Sequence, residues 1–302
     1  MDADTIEVQP PGTPAVGMSF LRAYGVTGDA KALAAARDAA HALLRGQNKY
    51  GGWDHTIRFA ERDSHTVSFD DNQTQSAISF LMVLDQAIDD EHVSKGVERA
   101  LGLLIDAQLG HGGWPHKYPA QGDYHDHATF NDGGINDCIR VMIEAHHFYG
   151  DRVVEKSLLK SARFMMISQL PPPQPGWAQQ YDEHLQPAWA RDFEPPAVCP
   201  AVTVRNVHTL IDLYLALGSD AYLEPIPDAL RWLQEIRMAN GKWARFVEMG
   251  TGKPLYYDRG RVRVDSPAEL HPERATGYAY ESDLEQALQA GVGFINAIPV
   301  FI

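Results

Sequence analysis

Cysteine is nearly absent. Cys138 and Cys199 are the only two in 302 residues, too few for a disulfide framework, and buried free thiols are the expected state of both. Long apolar runs are missing as well: no stretch of about 18 apolar residues occurs, which leaves no candidate for a spanning helix. The first residues, MDADTIEVQPPGTP, are acidic and lack an apolar segment, so no signal peptide is read there. Positive charge is scarce, with 26 Lys and Arg against 40 Asp and Glu and a formal net charge of −14. That balance argues against nucleic acid or an anionic membrane as partner.

What is present suffices for a packed core: 44% of the residues are hydrophobic and 10% aromatic, well outside the disordered range. No linker divides the chain, so 1–302 reads as a single domain. The little positive charge is concentrated. Arg231, Arg237, Lys242, Arg245, Lys253, Arg259, Arg261, Arg263 and Arg274 all fall within 231–274, a basic sector able to take an anionic ligand locally.

Internal repetition is the clearest signal. Gln47 precedes Gly51-Gly52-Trp53, Gln108 precedes Gly112-Gly113-Trp114, and Gln169 precedes Gly176-Trp177; Gly241-Lys242-Trp243 is a weaker fourth copy. Before each copy lie two segments with apolar residues at steps of three and four, the helical period. Gly, Asp and Ser turns between them stop one helix and cap the next. Each unit is thus a helical hairpin followed by a Gly/Trp-rich loop. The expected fold class is all-α, an incomplete α/α toroid of helical hairpins with long rim loops and at most a small β-hairpin near the C-terminus. A stacked superhelix is the alternative. Strand-like alternation occurs only near 243–248 and 262–264.

The third loop is the longest. Its stretch 169–196, QLPPPQPGWAQQYDEHLQPAWARDFEPP, holds too much proline for a helix and too many aromatics for disorder. It reads as the floor of a binding cleft, with Arg191 as the reactive group. The bland alternative is an arginine stacked on Trp189 and paired with Asp192 or Glu194.

Other candidates bear on the chemistry. The Gln-x-x-x-Gly-x-Trp pattern is similar to the QW motif of triterpene cyclases, in which the glutamine bonds a helix end and the tryptophan packs over the turn; that role is structural. Asp71, in Phe69-Asp70-Asp71-Asn72, and Asp132, in His127-Ala128-Thr129-Phe130-Asn131-Asp132-Gly133, sit one repeat apart, each before an inner helix. As helix caps they would contribute about a kcal/mol. As a pair facing one cleft, their hard oxygens suit Ca²⁺ better than zinc. His125-Asp126-His127 lacks an evident third ligand for zinc. Asp182, Glu183, Asp192 and Glu194 offer carboxylates for a glycosidase.

Four blocks, GGWPHKYP (112–119), YHDHATFND (124–132), GWAQQYDEHLQPAWARDFEPP (176–196) and ARFVEMGTGKPLYYDR (244–259), resemble the pectic acid lyases of polysaccharide lyase family ten. The resemblance runs through residues 20–280. It implies an α/α toroid and Ca²⁺-assisted β-elimination of polygalacturonate, an anionic polysaccharide, by a secreted or periplasmic monomer. By similarity Arg191 matches the catalytic base and Asp71 and Asp132 the calcium ligands. Arg259 and Arg274 match arginines that hold substrate carboxylates, and Thr129, Asn131, Trp114 and Trp189 fall to substrate binding. Two positions depart from the family pattern: Ala178 stands where a cysteine is common and Tyr181 where a histidine is usual. Polyuronate binding without turnover is the second function class.

Overall fold

The computed structural model describes residues 4–61 and 65–298. By contacts the chain divides into two compact units, one of residues 1–126 and 132–160, the other of 127–131 and 161–302.

The first unit holds α1 (Thr13–Thr27) and α2 (Ala30–Arg45), then α3 (Gln73–Ala87) and α4 (Glu91–Asp106), then α5 (Gly134–Tyr149). Helix α6 (Arg152–Ile167) crosses the division, and the second unit continues with α7 (Pro200–Leu217), α8 (Ile226–Glu235), α9 (Pro272–Gly277) and α10 (Glu285–Ala297). All four expected hairpins are present, and their turns work as the sequence implies. Gly28 ends α1 at φ 69° and Asp29 caps α2, accepting from the Lys31 amide; Asp90 caps α4 by accepting from the His92 and Val93 amides. Glycines take the left-handed residue that closes α5 and α7, where a side chain would be strained. Helix α4 buries one stripe, Val93, Val97, Ala100, Leu101 and Leu104, as an outer helix should. Helix α3 is buried from Gln73 through Gln75 and again from Ala77 through Met82, as an inner helix must be. Buried polar side chains stand near the starts of the inner helices, ahead of their apolar periodicity: Gln73, Thr74 and Gln75 in α3, Asn136 in α5, Thr203 and Asn206 in α7.

The rim loops repeat in atomic detail. The indole N–H of Trp53 donates to Leu43 O at 2.8 Å, that of Trp114 to Leu104 O at 2.7 Å, that of Trp177 to Met165 O at 2.9 Å and that of Trp243 to Leu233 O at 2.7 Å. Each tryptophan therefore ties its loop to the preceding outer helix. The glutamine amides bond twice, Gln47 to Gly51 O and Gly96 O, Gln108 to Gly112 O and Ser157 O, Gln169 to Pro175 O and Pro225 O. In the fourth copy Arg237 stands at the glutamine position and donates to Gly241 O at 3.0 Å. This overturns the substrate-binding expectation for Trp114. Its ring is fully buried and its N–H is committed, as in the other three copies.

Among the described residues, five two-stranded antiparallel ribbons accompany the helices. They are β1 (Thr5–Glu7) with β2 (Thr56–Arg58), β3 (Val67–Ser68) with β4 (Lys117–Tyr118), β5 (Ala128–Thr129) with β6 (Gln180–Tyr181), β7 (Trp243–Ala244) with β10 (Glu281–Ser282), and β8 (Tyr256–Asp258) with β9 (Val262–Val264). The expected hairpin near the C-terminus is β8–β9. The 243–248 segment does not pair with it; its strand, β7, pairs with β10. Two- and three-residue strands carry too little alternation to be read from sequence. Cys138 and Cys199 are buried free thiols, both pushed up in pKa by burial. No described helix is long and apolar enough to cross a membrane.

Candidate active site

In the first unit, Asp71 and Asp132 occupy matching backbone. Asp71 has φ 48° and ψ 31°, Asp132 φ 47° and ψ 22°, both in the left-handed region that few non-glycine residues adopt. Such conformations persist only when the surroundings enforce them, and they gather at functional sites. Each lies in a short 3-10 turn just before an inner helix, and each carboxylate is exposed. The neighbouring Asp70 is turned elsewhere, its Oδ1 3.0 Å from Nδ1 of the buried His116. Gln9 Nε2 donates to Asp71 Oδ2 at 2.9 Å.

Both carboxylates are hard oxygen donors of the kind Ca²⁺ takes, six to eight at a time with water or ligand completing the shell. Among the described residues no three His, Cys, Asp or Glu side chains gather as a metal cluster, so the His-x-His pair lacks what a zinc site requires. His125 instead stacks on Tyr124 at 4.0 Å and pairs with Asp123 at 2.7 Å, and His127 Nδ1 lies 3.2 Å from Gln180 Nε2.

In the second unit the three expected arginines come together around one ring. The guanidinium carbons of Arg274, Arg191 and Arg259 lie 4.3, 5.1 and 5.5 Å from the Phe193 centroid. The loop holding Arg191 is a tight turn closed by the Glu194 amide donating to Arg191 O. Asp192 fastens that turn to the β8–β9 hairpin by accepting from the Gly260 amide at 2.7 Å, while the Arg261 amide donates to Asp192 O. Arg191 donates Nε and Nη2 to the two oxygens of Glu194 at 2.9 and 2.7 Å, the fork geometry that favours arginine over lysine. Its side chain keeps 42% of its surface exposed, whereas Glu194 keeps 1%. Burial alone would raise the Glu194 carboxyl, but the hydrogen bonds and charge of Arg191, with the Tyr278 hydroxyl, hold it down at about 2.

Arg259 and Arg274 share Glu273, at 2.9 and 2.8 Å, and these contacts also hold Glu273 at about 2. Arg274 is 8% exposed, and its Nε has no partner among the described groups. Trp189 is half-buried, edge-on to Tyr257 at 5.2 Å, with the Arg261 guanidinium over its face at 4.6 Å. Thr129 is fully buried in β5, where its hydroxyl oxygen accepts from the Asn131 amide. It shapes the turn before Asp132 and has no surface for a sugar, contrary to its expected role. Asn131 is 7% exposed.

Arg245, which was not among the expected site residues, shares the Tyr278 ring with Arg191 and Arg274. It is half-buried, with its guanidinium 4.2 Å from the Tyr278 centroid, and its Nε has no partner among the described groups. Its signal was its place in the 244–259 block, beside Arg259. The glycosidase carboxylates fare worse. Asp182 accepts from the His184 and Gln186 amides and Asp192 from Gly260, while Glu194 is shifted opposite to what a general acid needs. The two family departures form one buried peg: Tyr181 donates to Ser168 O and accepts from the Ala178 amide, both at 2.7 Å.

The sequence model of the pectic acid lyase family, Pec_lyase, matches residues 55–242, more than half of the chain. The chain belongs to the pectic acid lyase family. That family places it among lyases acting on polysaccharides. No curated protein matches it. Among solved structures, a mutant family 10 polysaccharide lyase from Cellvibrio cellulosa in complex with trigalacturonic acid aligns over 95% of this chain and 98% of its own, with TM-score 0.75 and 17% identity. A second structure, of the family 10 polysaccharide lyase from Cellvibrio cellulosa, aligns over 94% of this chain and 98% of its own, with TM-score 0.71 and 17% identity. A D-mannose isomerase aligns over 85% of this chain and 67% of its own, with TM-score 0.61 and 14% identity. At these identities the likeness is one of fold, and the fold class is the α/α toroid. For this pectic acid lyase family member, the QW-like glutamines and tryptophans are parts of that scaffold.

Proposed function

We propose that this chain cleaves polygalacturonate by calcium-assisted β-elimination, with Arg191 as the base. The carrying observation is the convergence of Arg191, Arg259 and Arg274 on Phe193. Three cations on one apolar ring form a platform for an anion, and a uronate carboxylate has the planar shape that guanidinium forks match. The complex of the structurally similar Cellvibrio lyase with trigalacturonic acid supports the substrate class.

The chemistry assigns a task to each group. Base attack removes the proton at C5, α to the carboxylate; the electron pair forms the C4–C5 double bond, and the glycosidic oxygen leaves from C4 with its bonding pair and takes a proton from water. Negative charge builds on the carboxylate as the proton leaves, and Arg259 and Arg274 stabilise it there. Arg191 takes the proton. A guanidine is ordinarily protonated, so Arg191 acts as base only where neighbouring cations and burial favour its neutral form. Asp71 and Asp132 would hold Ca²⁺, which when bound neutralises uronate charge and makes the C5 proton more acidic. Secretion or a periplasmic location suits a polymer substrate.

One observation favours the second reading, polyuronate binding without turnover: both arms of Arg191 are engaged by Glu194. Incubation of the protein with polygalacturonate and Ca²⁺ decides between them. Unsaturated, ultraviolet-absorbing products that disappear with chelator are expected. Arg191→Ala should lower kcat by at least about a hundredfold and leave binding largely intact. Saturated products would install the glycosidase reading, and binding with no product under any metal would install the second.

A further inference from the structure

The two aspartate turns differ in the residue that follows. After Asp132 comes Gly133 at φ 84°; after Asp71 comes Asn72 at φ 57°. Glycine takes the left-handed region without penalty. Two successive non-glycine residues there each carry a penalty on the order of tenfold in population, less for Asn and Asp than for bulkier side chains. The first turn therefore needs a restraint that the second does not.

Arg140 supplies it. From α5, one inner helix away, its Nη2 donates to Asn72 Oδ1 at 3.0 Å. The rest of the guanidinium is itself fixed: Nη1 donates to Glu144 Oε1 at 2.9 Å and to Ser79 Oγ at 3.2 Å, and Nε lies 3.5 Å from Asp137 Oδ1. Ser79, on α3, closes the arrangement by donating to Glu144 Oε2. The α3 helix that Asn72 precedes and the α5 helix that Asp132 precedes are thereby joined through one side chain.

We infer that Arg140 is a positioning residue that locks the Asp71–Asn72 turn in its left-handed form and so sets the direction of the Asp71 carboxylate. The metal half of this inference rests on the reading of Asp71 as a calcium ligand; the conformational half does not. Arg140 touches neither Asp71 nor, in this assignment, the sugar. Its effect passes through Asn72.

Two measurements on the full chain test it. Hydrogen exchange of the peptide covering 69–76 reports the turn directly, and the calcium midpoint of elimination, alongside terbium luminescence with the protein alone, reports the site. Arg140→Gln should speed exchange in that peptide and raise the calcium and terbium midpoints roughly tenfold, with kcat at saturating calcium little changed. Adding Asn72→Gly, which gives the turn the residue its sister has at Gly133, should restore both in the Arg140→Gln background. A general packing defect at Arg140 would not be repaired by that second change. Unaltered exchange in Arg140→Gln, or failure of Asn72→Gly to restore it, overturns the inference. Should the unaltered protein show no response to calcium or terbium, the ligand reading of Asp71 and the metal half fall together, and exchange alone decides the lock.

Discussion

At the scale of single residues, the Arg191–Glu194 pair decides the acid stability of the site. Glu194 is buried and held at about 2, below the ordinary value of 4.5. A depressed carboxyl stabilises the folded state fully above its unfolded value, and that contribution is lost as pH falls from about 4.5 through 2. Allowing for the exposed half of Arg191, the effect is on the order of 2 to 3 kcal/mol. Glu194→Gln should therefore lower stability by about that much at pH 7 in urea unfolding and flatten the acid limb between pH 4.5 and 2. An acid limb as steep as in the unaltered protein would show that other carboxylates carry it. Glu273 is equally depressed but lies in solvent, so screening leaves it little weight. The same residues show what sequence could and could not convey. Arg191 and Arg259 lie in blocks that carry the resemblance and Arg274 in the same basic sector, and the structure gathers all three around Phe193. Trp114 and Thr129 were misassigned because a motif does not say which way a side chain faces. For Trp114 the fourfold repetition was itself the sign of a scaffold role.

At the scale of elements, the rim loops test how much the repeat contributes to folding. Gln108 closes its own loop through Gly112 O and reaches the next outer helix through Ser157 O, both at 3.0 Å. Its Oε1 also accepts from the Ser157 hydroxyl at 3.0 Å, so Gln108→Ala removes three hydrogen bonds and strips two carbonyls and a hydroxyl of them, a loss of about 1 to 3 kcal/mol. Urea unfolding should show it, while kcat at saturating substrate stays close to normal. Arg237→Gln is the converse change, since it places in the fourth copy the residue of the other three; it keeps the Gly241 contact in reach and loses the ion pair to Glu285 at 2.9 Å. Half-exposed pairs of this kind contribute about a kcal/mol or less, so Arg237→Gln should fall below Gln108→Ala in cost. The reverse order would mean that the fourth loop is held by its charge rather than by the shared pattern. The hairpins were legible because apolar steps of three and four extend over many residues. The starts of α3, α5 and α7 were not, because buried polar side chains such as Gln73, Asn136 and Thr203 interrupt the apolar period there. The short ribbons escaped for the same want of length.

At the scale of the whole molecule, charge poses a problem that the site must solve. The protein carries a formal net charge of −14 and the proposed substrate is a polyanion, so the two repel at long range. Attraction comes from the basic sector, above all the arginines around Phe193, and on the proposed mechanism from bound calcium. Repulsion between exposed charges is screened beyond about 10 Å at 0.1 M salt, whereas contacts made by partly buried arginines are screened much less. A long polymer spreads its charge over the acidic surface; a trimer presents its charge mainly to the site. Raising monovalent salt from about 10 mM to about 150 mM, at fixed free calcium, should therefore lower KM for long polygalacturonate and leave KM for a trigalacturonate nearly unchanged. Salt well above that range should raise both, as the arginine contacts themselves weaken. Initial rates of ultraviolet-absorbing product across that salt series provide the measurement. If KM for the polymer instead rises from the lowest salt upward, the basic sector outweighs the net charge even at long range, and the protein meets its substrate as a cationic surface would.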